Sequence, residues 1–171
     1  MVKVIYFYVT KITGSPKMSQ LIGEYVCKLD TKGRLLVPSD LVQQLPGVKD
    51  DGLIALCGFE KQLNIYPKAE WDKKVKKLSK LSEYDEKSRT FLRLLTRGAT
   101  PLKLDGAGRV LFPKQLLEYA GITNEMTLTC LFTRIEAWNT TTYNKMMNET
   151  PTNMADLAQQ LSHIIEGGDD E

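Results

Sequence analysis

The sequence predicts an α+β fold built from two tandem copies of one small unit, with helices flanking them. Three observations carry this reading. Leu-Asp-Thr-Lys-Gly-Arg-Leu-Leu-Val-Pro, starting at Leu29, returns as Leu-Asp-Gly-Ala-Gly-Arg-Val-Leu-Phe-Pro from Leu104, an offset of 75 (104 − 29). A strand-like alternation leads into the first of these motifs, and a short Pro-led stretch with helical character follows each. Each copy then closes with an apolar run broken near its middle, the pattern of a hairpin.

Residues 1–20 form an N-terminal extension in this reading. Its apolar burst, within MVKVIYFYVTKITGSPK, is too short to span a membrane and carries no cleavage signature. Met18 is the expected natural start, with residues 1–17 as a start-site artefact; an edge strand is the alternative.

The first copy covers residues 21–75. Tyr25, Cys27 and Leu29 alternate with Glu24, Val26 and Lys28, as in a half-buried strand. Asp30 and Gly33 occupy the first and fourth positions of a type I turn, where the carboxylate accepts backbone N–H groups and glycine takes a positive φ. Arg34 follows directly from the turn. Leu35–Val37 reads as a second strand, and Pro38-Ser39-Asp40 as the start of a helix ending near Pro46-Gly47. Leu53 to Tyr66 is the hairpin, broken at Gly58.

A helical linker over residues 76–96 carries apolar residues at helical spacing. Trp71, Val75, Leu78 and Leu81 lead into it; Phe91, Leu94 and Leu95 resume after a break near Ser82-Glu83. The second copy covers 97–148 and repeats the grammar: Asp105, Gly108 and Arg109 in the turn, a helix ending at Gly121, and a hairpin from Met126 to Trp138 broken near Thr133. Residues 149–171 are a C-terminal helix, about Thr152 to Ile165, and an acidic tail.

This doubled arrangement resembles the MraZ family over about residues 21–148. A single Asp-x-x-Gly-Arg is a weak signal, but two copies, each followed by proline at the same offset, are specific. The resemblance implies AbrB-like swapped-hairpin halves that interleave into a pseudo-twofold β-barrel. It also implies a ring-shaped homo-oligomer, of which an octamer is one candidate size, and repression of the division and cell-wall cluster that contains its own gene. The family's motif positions map onto Asp30, Arg34, Asp105 and Arg109.

Chemistry points the same way. A guanidinium is a rigid fork of donors that fits phosphate oxygens or the edge of guanine. Arg34 and Arg109 are therefore the expected DNA-reading residues, helped by Lys28, Lys32 and Lys103. Asp30 and Asp105 would repel phosphate, so with Gly33 and Gly108 they are expected to form the turns and orient the arginines. The plainer alternative is a surface ion pair that contributes little. The expected partners are double-stranded DNA with short direct repeats and further copies of the chain, and the expected location is the cytoplasm, at the nucleoid.

Charge is unremarkable in total, +2, but uneven: residues 73–109 hold eleven Lys and Arg against four Asp and Glu. Arg89, Arg93 and Arg97, spaced by four, would share a helical face. They support the main rival, a protein-interaction scaffold docking an acidic partner, while Lys73 to Lys80 reads equally well as a solvated face. A single-motif AbrB-type regulator is a second rival, disfavoured by the duplication. An enzyme is remote. The one histidine, His163, is far from any nucleophile motif, and Asp50-Asp51 and Asp169-Asp170 are adjacent acids in turns or a tail. Cys27, Cys57 and Cys130 are odd in number and lack C-x-x-C spacing, so neither a disulfide framework nor a metal site is expected, and no cofactor.

Overall fold

The computed structural model describes residues 20–149 and 153–165. The expected start at Met18 and the acidic tail lie outside them. In chain order the elements are β1 (Glu24–Lys28), β2 (Arg34–Leu36), α1 (Ser39–Gln43), α2 (Val48–Asp51), β3 (Leu53–Cys57), β4 (Leu63–Pro67), α3 (Lys68–Leu78) and α4 (Glu86–Leu95). There follow β5 (Thr100–Leu102), β6 (Arg109–Leu111), α5 (Lys114–Tyr119), β7 (Glu125–Leu131), β8 (Arg134–Asn139), α6 (Thr140–Glu149) and α7 (Met154–Ile165). The described residues divide into two units, one ending at Thr140 and the other starting at Thr141; the fold below is that of the first.

The strands form a six-stranded antiparallel sheet, in the order β1-β7-β8-β4-β3-β5, and a separate two-stranded ribbon, β2-β6. Matching each strand with its copy (β1 with β5, β2 with β6, β3 with β7, β4 with β8) leaves that order unchanged when read from the other end. Pairing therefore runs between copies: β1 on β7, β5 on β3, β2 on β6 and β4 on β8. The registers are those of a pseudo-twofold axis. It passes between Leu35 and Val110 in the ribbon, and between Asn64 and Glu136 in the sheet, each pair being directly opposed. The barrel implied by the resemblance is not closed, because β1 and β5 are the edges of the sheet rather than partners of each other.

Side-chain alternation sorts the two faces of the sheet. Ala55, Cys57, Leu63, Ile65, Ile135 and Ala137 point into the main core, which also receives Leu35 and Val110 from the ribbon and Leu41 and Leu116 from α1 and α5. Ile54, Leu56 and Tyr66 face the other side, where Trp71 of α3 packs on them. The ribbon and α3 therefore lie on opposite faces of the sheet.

Several boundaries differ from expectation for local reasons. The second strand is Arg34–Leu36 rather than Leu35–Val37, so the arginine that follows the turn already belongs to β2. The first helix stops at Gln43, and a further turn, α2, follows Gly47, whose φ of 76° redirects the chain so that Leu45 and Val48 are both buried. The expected boundary between first copy and linker, after residue 75, falls within α3. Asp85 caps α4, accepting the Ser88 N–H at 2.7 Å.

Candidate nucleic-acid interface

Each Asp-x-x-Gly-Arg segment folds into the same closed turn. Asp30 Oδ1 accepts the N–H groups of Lys32 at 2.8 Å and Arg34 at 2.9 Å, and its Oδ2 accepts Arg34 Nε at 2.6 Å. Asp105 repeats this with Ala107 N–H, Arg109 N–H and Arg109 Nε, all at 2.9 Å. The Gly33 and Gly108 N–H groups donate to the Asp30 and Asp105 carbonyls at 3.0 Å, with φ of 76° and 77° at the two glycines. One carboxylate thus ties three donors, which explains why aspartate and glycine are needed at this spacing.

The carboxyls of Asp30 and Asp105 are held below the ordinary aspartate value. The backbone N–H of the arginine four residues on contributes most; partial burial opposes it, and the arginine side chain and the N–H two residues on reinforce it. Both groups are ionised at neutral pH. Their hydrogen bonds use Nε of each arginine, and the terminal nitrogens of Arg34 and Arg109 carry no hydrogen bond to any described residue. Those nitrogens can accept a ligand without breaking the turn.

The ribbon sets the spacing of the two arginines. In β2-β6, Leu35 opposes Val110, and both are buried, so Arg34, Leu36, Arg109 and Leu111 share the outward face. Arg34 lies opposite Leu111 and Arg109 opposite Leu36. The arginines are then diagonal neighbours, about 7–8 Å apart by backbone geometry. Reciprocal bonds lock the copies together: the Gly33 carbonyl accepts the Phe112 N–H, and the Gly108 carbonyl the Val37 N–H, each at 3.1 Å.

Sequence reasoning passed over Leu36 and Leu111. They are 63% and 56% exposed, unusual for leucine between two charged side chains, and they also stand at the offset of 75 (111 − 36). That shared offset was the available signal.

Each turn borders a groove formed with the other copy. The first, of about 970 Å³, runs between Lys32 in one turn and Lys103, Pro113 and Lys114 of the other copy. Its counterpart, about 830 Å³, lies between the Asp105–Gly108 turn and Pro38, Ser39 and Lys49. Lys32 and Lys103 therefore sit beside a turn, and Lys114 and Lys49 join them. Lys28, exposed at the end of β1, lines neither groove.

The expected stripe of Arg89, Arg93 and Arg97 is not assembled. Helix α4 ends at Leu95, leaving Arg97 beyond it, where its guanidinium lies 5.1 Å from the centre of the Tyr119 ring. Arg89 turns back to donate to the Glu83 carbonyl at 2.9 Å. Spacing by four presumes a continuous helix, and the Thr96–Gly98 turn interrupts it, with Gly98 at φ 71°. Cys27 and Cys57 are buried among apolar strands, and Cys130 is half-buried. Burial pushes all three thiols up.

Comparison with known proteins agrees with the duplication. The family model for the MraZ protein matches the chain twice, over residues 21–94 and 95–163. A protein of Christiangramia forsetii named "Transcriptional regulator MraZ" is 37% identical over 145 residues, covering 84% of this chain and 94% of that one. Proteins of the same name from Flavobacterium psychrophilum and Clostridium acetobutylicum are 34% and 36% identical, covering 90% and 84% of this chain and 98% and 97% of their own.

Proposed function

The chain belongs to the MraZ family, and from that premise we propose that it is a sequence-specific, DNA-binding transcriptional regulator that reads double-stranded DNA with the β2-β6 ribbon. The family is one of regulators rather than enzymes. The observation that carries the reading is the pair of aspartate-clamped arginines projecting from one two-stranded ribbon. The major groove admits such a ribbon, and a bidentate arginine on guanine contributes about 1–3 kcal/mol of discrimination. Leu36 and Leu111, between the arginines, suit contact with thymine methyl groups. Lys32, Lys103, Lys49 and Lys114, which line the grooves beside the turns, would meet phosphates on either side in this reading, with Lys28 further out.

The exchange of strands between copies is the arrangement expected of AbrB-like swapped-hairpin halves. One chain offers few phosphate contacts, so affinity for an operator of short direct repeats requires several copies acting together, as in a ring-shaped homo-oligomer. The regulated DNA in this reading lies upstream of the division and cell-wall cluster that holds its own gene, bound at the nucleoid, with repression as the outcome. The scaffold alternative loses its main support, since Arg89 and Arg97 are engaged within the chain.

Gel shifts on that upstream DNA test the reading. Arg34→Ala combined with Arg109→Ala should weaken specific binding by at least tenfold, the loss of about 1–3 kcal/mol per bidentate contact. Unfolding curves should barely move. Wild-type affinity in a folded double variant would remove the ribbon as the reading element.

A further inference from the structure

On the sheet face opposite the arginine ribbon, a groove of about 520 Å³ is lined by Lys73, Lys74, Lys76, Lys77 and Lys80 against Tyr66. The two carboxylates within reach are committed. Glu70, also in the groove, pairs with Lys73 at 2.5 Å, and Glu136 accepts Arg134 Nη2 at 3.0 Å and Trp138 Nε1 at 3.1 Å. Lys76, Lys77 and Lys80 have no ion-pair partner among the described residues. Lys74 lies 5.4 Å from the centre of the Tyr66 ring. Burial, with Arg134 and Lys77 nearby, pushes its ammonium below the ordinary lysine value. Positive charge therefore gathers here with only partial compensation, Glu70 offsetting Lys73 and leaving Lys74, Lys76, Lys77 and Lys80 in excess.

Packing does not require it. The helix dipole favours Lys76 and Lys77 in the last turn of α3, but not the convergence with Lys73, Lys74 and Lys80. In the second copy the helix with Tyr143 at the place of Trp71 runs Thr140–Glu149 and contains a single lysine, Lys145. The run of lysines thus departs from the duplication that governs the rest of the chain.

We propose that this groove is a second binding site, for a small molecule carrying two or more phosphate groups. Its volume falls in the usual range for small ligands, about 300–1,000 Å³. Lysines act as flexible point charges for phosphate. Thr133, which also lines the groove, can add a neutral hydroxyl donor. Because the ribbon occupies the other face, such a ligand and operator DNA bind without sharing a surface.

Calorimetric titration of the intact protein with tripolyphosphate, at fixed ionic strength, tests this. Saturable binding of one molecule per chain is expected. Lys77→Gln with Lys80→Gln, both exposed, should weaken it about tenfold or more, as for the loss of one or two charge-assisted contacts. Arg34→Ala with Arg109→Ala should leave it unchanged. Lys76→Gln provides an independent variant if the first loses stability. Unsaturable binding, or wild-type affinity in the folded lysine variants, overturns the proposal. So does loss of tripolyphosphate binding in the arginine variant. Competition by operator DNA, with equal loss of DNA affinity in the lysine variants, would make the groove a DNA-backbone contact instead.

Discussion

The carbonyl of Gly33 accepts the Phe112 N–H at 3.1 Å, so the turn of one copy is closed onto the strand end of the other. Position 33 therefore bears both on the arginine it precedes and on the contact between copies. A Cβ there would meet Leu117 Cδ1 at 3.4 Å and the Phe112 oxygen at 3.5 Å, ordinary distances, so the constraint is the φ of 76° rather than space.

Gly33→Val is accordingly expected to cost about 1–3 kcal/mol of backbone strain and to reduce DNA binding with it. Urea unfolding and gel shifts on the same preparation check both effects. A variant as stable as the wild type would mean that the turn tolerates another backbone path.

Asp30 and Asp105 carry a pH dependence of defined sign. Their folded-state values are lowered, so the stability they contribute is fully present above the unfolded aspartate value of about 3.9 and is lost as pH falls through the folded value. Carboxyl resonances followed by NMR should give midpoints below about 3.9 for both. Arg34→Ala should raise the Asp30 midpoint only in part, because the Arg34 backbone N–H, the leading cause, survives the substitution. A midpoint at the ordinary value in the wild type would contradict the hydrogen-bonded turn.

The arginines of the former stripe should separate by role. Arg97→Ala removes the contact with Tyr119 and is expected to lower stability by about 0.5–1 kcal/mol, the range for an exposed cation over an aromatic ring. Arg93→Ala, in the last turn of α4, should leave DNA affinity unchanged and lower stability by only about 0.3 kcal/mol, the low end for an exposed charge at a helix C-terminus. Tyr119→Phe keeps the ring but loses the 2.5 Å bond to the Gly58 carbonyl, with an expected cost of about 1 kcal/mol. Thermal unfolding of the three variants distinguishes these outcomes.

Operator geometry gives the last prediction. If several copies engage direct repeats, motifs spaced by about 10 base pairs present the same groove face to identical ribbons. Inserting about half a turn between motifs should abolish most of the avidity, which is worth about 10²–10⁴ in affinity, whereas a full turn should be partly tolerated. Interferometry across such spacings, with the assembly's mass measured in parallel, reads this out. Equal binding to a single motif and to the array would exclude the cooperative mechanism while leaving the ribbon intact.

Much of this was legible in one dimension because it depends on local stereochemistry. Aspartate and glycine three apart dictate a turn, alternation dictates strands, and a motif recurring at an offset of 75 announces duplication without any knowledge of contacts. The sequence by itself therefore determined the two turns, their arginines and most of the strands and helices, though not the helices α2 and α6. Other features depended on which distant segments meet. Pairing of β2 with β6 puts both arginines on one ribbon, β1 and β5 remain edges instead of closing a barrel, and alternation along β3 and β4 sends the ribbon and the lysine groove to opposite faces. The turn after α4 parts Arg97 from Arg93 although their spacing is helical. Spacing along a chain specifies neighbours only within one continuous element; between elements, burial of the shared core chooses them, and only the tertiary structure decided that.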